Sequence, residues 1–226
     1  MSNYLAIGGA SAVLRSLLTK AVQAGGPASI LSKQPAITNL APDMIETGAS
    51  EAARINLFLY NTTINASTRN LDLPSTNSLG QRRSDPPLAL DLHYLVSAYG
   101  GNAFDQEILL GFAMQVFNQN STIGRQQISD ALADLLATNP ASDEAQRVSA
   151  GTLASQTELL HITPEVLSTE EMYRLWTAFR TSYRPTTSYK VSVVLIQSDD
   201  PLVSNPLVRN RSVLTPNTPV TPVRLF

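Results

Sequence analysis

Residues Pro86–Gly100 read PPLALDLHYLVSAYG, with apolar side chains at alternate positions. In an extended chain Leu88, Leu90, Leu92, Tyr94 and Val96 face one way. Asp91 and His93 face the other, two residues apart and side by side. The alternation predicts a half-buried β-strand, apolar toward a core and polar toward water. A carboxylate beside an imidazole suits a general base with its orienter, half a metal site, or the ordinary wet face of a sheet. Periodicity alone does not choose, but the last reading asks for nothing beyond the strand itself.

Working outward, RINLFLYNT sets Ile55, Leu57 and Leu59 against Asn56, Phe58 and Tyr60, a second alternating strand. Upstream of it, Ala10, Val13, Leu14, Leu17, Leu18, Ala21 and Val22 recur at three- and four-residue spacing. They predict one amphipathic helix over about 3–23, ended by Gly25, Gly26 and Pro27. A short strand is expected near Ala28–Lys33, then a loop with Pro35 and Pro42. Downstream, Phe104, Ile108, Phe112, Ala113 and Val116 predict a second helix. Ile128, Ala131, Leu132 and Leu135 predict a third, stopped before Pro140. TELLHIT reads as a strand. STEEMYRLWTAF opens with a capping box, Ser168 with Glu171, and is expected to bury Met172, Leu175, Trp176 and Phe179. SYKVSVVLIQ closes the series as a strand with Val191, Val193 and Leu195 on one face. Interleaved strands and helices point to an α/β (or α+β) fold, a single mixed-sheet domain flanked by helices.

Two segments stand apart. Asn61–Pro87 is a long polar connector carrying Arg82 and Arg83, and connections of that length are usually functional or disordered. After Asp199 and Asp200 the chain becomes proline-rich, without an acidic residue, and carries Arg209, Arg211 and Arg224 among apolar side chains ending in Phe226. Proline at this density excludes a helix and disfavours a central strand, which leaves an extended or polyproline-like arm. The expected division is therefore a domain over 1–198 and an arm over 199–226.

Composition narrows the chemistry. Charged residues make up 15% of the chain and the formal net charge is −2, which does not suggest a nucleic-acid binder. Without cysteine there is no disulfide framework, thiolate catalysis or cysteine-ligated metal. The start, MSNYLAIGGASAV, lacks the charged region and unbroken apolar core of a signal peptide, and no apolar run reaches the length of a membrane span. A soluble protein made in the cytoplasm is expected. AIGGASAV fits no phosphate-loop spacing. No G-x-S-x-G elbow occurs. His161 is the only histidine besides His93, so a two-histidine metal site would need both of them and a carboxylate brought together by the fold.

Five blocks in order carry a resemblance: MSNYLAI leading into LRSLLTKAV, then RINLFLYNTTINASTRNLDLP, PPLALDLHYLVSAYG, LSTEEMYRLWTAF and SYKVSVVLIQSDDP. Together they resemble the tail-terminator, or cap, proteins of extracellular contractile injection systems, the antifeeding-prophage type of phage-tail-like particle. The stretch ASDEAQRVSAGTLASQ and the arm depart from the commoner pattern. The resemblance implies a six-fold ring that sits on the last inner-tube layer, engages the last layer of contractile sheath and ends both polymers. Its partners would be other copies of itself, sheath protein and inner-tube protein, in a particle assembled in the cytoplasm and then either released or tethered to a membrane. It implies no catalysis, metal or other cofactor. On this reading Arg82 and Arg83 are expected to face tube or sheath. Arg209, Arg211, Arg224 and Phe226 of the arm are expected to meet a sheath strand or a neighbouring subunit. Two alternatives stand beside it: a small metal-assisted hydrolase using Asp91, His93 and His161, and a monomeric adaptor that recruits a partner through the arm.

Overall fold

A computed structural model describes residues 3–27, 30–31, 34–48, 51–68, 87–138, 153–156 and 158–197. Six strands form one mixed sheet: β1 (Ala36–Thr38), β2 (Arg54–Ile64), β3 (Leu88–Tyr99), β4 (Thr122–Ile123), β5 (Leu160–Glu165) and β6 (Thr186–Ile196). Their order across the sheet is β1-β2-β3-β6-β5-β4. Only β1 and β2 run parallel; every other neighbouring pair is antiparallel. With its four α-helices among the described residues, the fold is α+β.

The opening stretch is the spine of this sheet. β3 is paired along its length with β2 on one side and β6 on the other. Its expected apolar face holds from Leu90 onward: Leu90, Leu92, Tyr94 and Val96 are buried, with Ala98 beyond them, while Leu88 at the start of the strand is exposed. The expected wet face does not. His93, Leu95 and Ser97 are buried as well, so β3 is covered on both faces rather than half-buried. Leu95 on that second face was the sign that polar alternation was incomplete.

Three helices cover the first face: α1 (Ala6–Gln23), α2 (Asp105–Gln119) and α3 (Arg125–Thr138). Helix α1 buries Ala10, Val13, Leu14, Leu18 and Val22 of the expected stripe, together with Ala6 and Gly9, while Leu17 and Ala21 are half-buried and pack against the core. Its Ser11 hydroxyl lies 2.7 Å from the Tyr94 hydroxyl, a polar contact inside an otherwise apolar layer. Gly9 lets the helix approach the short 3-10 turn at Leu153–Ser155, where a Cβ on residue 9 would stand 3.2 Å from Leu153 Cδ2. In α3, Ile128, Ala131 and Leu132 turn inward as expected, while Leu135, the fourth residue of that pattern, is half-buried. Phe117 of α2 meets Tyr189 of β6 edge-on at 5.0 Å between centroids.

A fourth helix, α4 (Thr169–Phe179), lies toward the second face. Its Ser168–Glu171 capping box is formed in both directions. Phe179 packs edge-on against Phe58 of β2, with centroids 5.4 Å apart. Only Trp176 of the four expected apolar side chains is fully buried, while Met172, Leu175 and Phe179 are half-buried.

Three expectations are corrected by local backbone. Phe104 does not join the α2 core: it caps the helix with φ 69° and is 73% exposed, and the inward stripe is Leu109, Ala113, Val116 and Phe117. In β6 a bulge opposite Asp91 shifts the alternation, so Val191, Val194 and Leu195 are buried and Val193 is half-exposed. The stretch between α1 and β2, expected as a loop around Pro35 and Pro42, contains β1 and a 3-10 turn at Pro42–Met44. Most of the strand expected near 28–33 lies outside the described residues, as does the 198/199 boundary.

Candidate functional site

The polar residues of β3 converge with those of three other strands on the second face. Along β3, His93 lies opposite Asn61 of β2 and Lys190 of β6, while Glu165 of β5 lies opposite Ser188 of β6. His93 Nδ1 stands 2.8 Å from Glu165 Oε2, and its Nε2 stands 2.9 Å from the Thr63 hydroxyl. The Tyr60 hydroxyl lies 3.2 Å from the same Glu165 oxygen and 3.1 Å from the Ser188 hydroxyl. Burial pushes the Tyr60 phenol up from its ordinary value; its Ser188 hydrogen bond opposes that push and the Glu165 carboxylate adds to it. Glu165 is thus the shared acceptor of a network drawing on β2, β3, β5 and β6.

The carboxylate that engages His93 is Glu165, not Asp91. Asp91 instead accepts from Asn65 Nδ2 at 2.7 Å, where the chain leaves β2. His161, on β5, places its Nδ1 3.2 Å from the Thr122 hydroxyl of β4. Asp91, His93 and His161 are therefore held by three different sets of partners. Among the described residues no group of three or more His, Asp or Glu could hold a metal ion. The sheet does not assemble the site that the metal-hydrolase alternative requires.

Thr63, His93 and Glu165 do fall in the hydroxyl–imidazole–carboxylate order of an activated nucleophile. Acyl transfer also needs N–H donors about 3 Å from a developing oxyanion. Thr63 sits within β2, opposite Asp91 in the ladder, where strand amides serve the sheet rather than a bound substrate. The cluster reads as a polar clamp: one histidine and one glutamate tie the middle of the sheet together with their hydrogen-bonding groups matched.

Two other buried polar side chains act in the same way. Asn56 Oδ1 accepts from the Thr38 hydroxyl at 2.8 Å and from Leu40 N at 2.9 Å, and its Nδ2 donates to Leu40 O at 2.9 Å, so β1 and the turn after it are held to β2. Gln156 donates to Val193 O at 3.1 Å and accepts from Leu195 N at 3.3 Å. β5 pairs with β6 only as far as Ser192, and beyond that point Gln156 takes the place of a strand neighbour. Sequence reasoning placed Asn56 on the face of its strand opposite Ile55 and Leu57 but gave it no partner, and it named neither Gln156 nor Glu165. Their types are common and their partners are set by strand order, which periodicity does not reveal.

The residues expected to meet partners, Arg82 and Arg83 in the connector and Arg209, Arg211, Arg224 and Phe226 in the arm, all lie outside the described residues. Among the described residues no helix is long and apolar enough to cross a membrane.

Residues 9–210 match the sequence model of the Pvc16 N-terminal domain. Two solved structures are similar. One is the sheath/tube terminator, in the extended state, of the extracellular contractile injection system PVC, at 15% identity and TM-score 0.44, covering 90% of this chain and 64% of that one. The other is the tube-terminating cap of the anti-feeding prophage, at 17% identity and TM-score 0.43, covering 80% of this chain and 54% of that one. The chain therefore spans less than two thirds of the length of either. No curated protein matches it.

Proposed function

The chain belongs to the Pvc16 N-terminal domain family, and from that membership we propose that it is a structural terminator of a contractile injection particle, a cap that ends inner tube and sheath. The observation that carries this reading is the extent of the match. It runs from within α1 through the end of β6 and takes in the blocks RINLFLYNT, PPLALDLHYLVSAYG, STEEMYRLWTAF and SYKVSVVLIQ by which the sequence resembles the terminators.

A terminator must present a surface that fits the last layer of a polymer and withhold the surface that would accept another. A sheet clamped internally by Glu165, Asn56 and Gln156 suits a part that must hold shape under load. Contacts then fall to segments outside the sheet. In this reading the subunit closes into a homohexameric ring, the connector with Arg82 and Arg83 faces tube or sheath, and the arm reaches sheath or neighbouring subunit through Arg209, Arg211, Arg224 and Phe226. The role is mechanical and needs no catalysis.

Elongation of purified inner-tube protein in the presence of this chain tests the reading. A terminator arrests growth at substoichiometric amounts and appears as a cap at one tube end in negative stain. Unchanged tube lengths with no bound cap would remove the reading. Alanine at Arg82 and Arg83, or at Arg209 and Arg211, should weaken that arrest, and full arrest by both variants would free these arginines of the role.

A further inference from the structure

Phe104 is displayed at a cost to the fold. Its φ of 69° is a left-handed conformation that glycine and asparagine tolerate and a bulky side chain resists, yet its ring is 73% exposed. The neighbours impose that backbone. Asp105 Oδ2 accepts from Asn102 N at 3.3 Å and from Asn102 Nδ2 at 2.9 Å, Gln106 Nε2 donates to Gly100 O at 3.0 Å, and Ile108 N donates to Phe104 O at 3.0 Å. Strain over-determined in this way clusters at sites of function. An exposed aromatic ring on a rigid mount suits an interface anchor, because little freedom is lost when it binds.

Helix α4 carries a groove to match. Leu167, Met172, Tyr173, Trp176 and Tyr183 line an opening of about 540 Å³. Tyr173 is 71% and Tyr183 59% exposed, and Tyr183 meets Trp176 edge-on at 5.6 Å. Aromatic walls of this kind take a further ring edge-on or offset. Phe104 does not line the groove. It caps α2, which covers the first face of the sheet, whereas α4 lies toward the second.

The charges beside the two are opposite. Glu107 lies three residues after Phe104 in the first turn of α2, so it shares a side of the helix with it. Arg180 ends α4 next to Thr177 and Thr181, which border the groove. Both are exposed, and among the described residues neither has an ionic partner. Arg180, at φ 55°, is also the one other non-glycine residue in the left-handed region among the described residues.

We propose that Phe104 of one copy of this chain seats in the α4 groove of a second copy, with Glu107 of the first meeting Arg180 of the second. A contact between unlike faces leaves each copy with a free knob at one side or a free groove at the other. It therefore propagates head to tail and closes into a ring when the rotation allows. Closure at six rests on the terminator reading; the contact itself does not.

Sedimentation velocity of the full chain across a range of concentrations tests the contact. The parent should assemble beyond the monomer, and Phe104→Asn should weaken assembly at least about tenfold through loss of one anchor. Asparagine accepts the left-handed backbone, so this variant should keep a urea midpoint no lower than the parent's, which separates a lost contact from a damaged fold. Glu107→Arg and Arg180→Glu should each weaken assembly, and the two together should restore it. A parent that stays monomeric, a Phe104→Asn variant that assembles like the parent, or a charge exchange without rescue would overturn the proposal. The absence of native cysteine gives the direction of the joint. Ala103→Cys chains mixed with Thr177→Cys chains and mildly oxidised should form unlike pairs about tenfold over like pairs, and a statistical mixture would contradict it. Tube arrest is read separately. Arrest by a chain that stays monomeric would remove this interface and keep the terminator role, and assembly without arrest would do the reverse.

Discussion

His93 Nδ1 lies 2.8 Å from Glu165 Oε2 although β3 and β5 are separated in the sheet by β6. Strands two apart are roughly 9.6 Å from each other, so these side chains must cross the intervening strand. They do so diagonally, between the levels of Lys190 and Ser188, where the small Ser188 side chain leaves room and supplies a hydroxyl 3.4 Å from the same carboxylate oxygen. Removing Glu165 takes away the partner of His93 Nδ1 and one of the two partners of the Tyr60 hydroxyl, leaving Thr63 to the one and Ser188 to the other. Glu165→Ala should lower stability by about 1–3 kcal/mol. In double-mutant cycles by urea unfolding, His93 should couple to Glu165 by more than about 0.5 kcal/mol. A larger coupling of His93 to Asp91 would show that the sequence neighbour is the real partner.

Gln156 supports the end of β6 where β5 stops. Gln156→Ala leaves Val193 O and Leu195 N without this partner, and a loss of about 2 kcal/mol is expected. Hydrogen exchange locates the effect: the Leu195 amide should exchange faster than in the parent, with β2 little changed. Uniform acceleration across the sheet would mean that Gln156 acts on global stability and not on this edge.

Stability should fall at alkaline pH, and Tyr99 should carry part of the fall. Burial pushes its phenol up to about 12. Tyr94 is raised by burial as well, against the smaller opposing effect of its Ser11 hydrogen bond. A raised folded-state value means that the unfolded chain ionises first. The contribution is complete below the ordinary tyrosine value of about 10 and is lost as pH rises through it toward the folded value. Among the described residues the Tyr99 hydroxyl has no hydrogen-bond partner, so Tyr99→Phe should be neutral or stabilising by up to about 1 kcal/mol near neutral pH. Urea midpoints measured from about pH 9 to about pH 11.5 should fall less steeply in the variant. Parallel curves for the two proteins would contradict this assignment.

The sequence revealed what is local and withheld what is relational. The α1 stripe, the capping box at Ser168 and Glu171, and the apolar face of β3 follow from spacing alone, because helix and strand periods act over a few residues. That β3 is central, and therefore buried on its His93 face, depends on β6 arriving from far along the chain to pair with it. The same long-range pairing hid Glu165 as the histidine's partner. The bulge in β6 and the left-handed Phe104 each shifted a pattern that was regular in sequence. The five ordered blocks carried the functional reading, since nothing in the spacing of charged residues distinguishes a cap from any other sheet domain.

Electron microscopy of particles from cells lacking this gene tests the terminator role most directly. Tubes and sheaths of uncontrolled length, ragged or open at one end and restored by the native chain, are the expected result. Particles of normal length with a normal cap would contradict it.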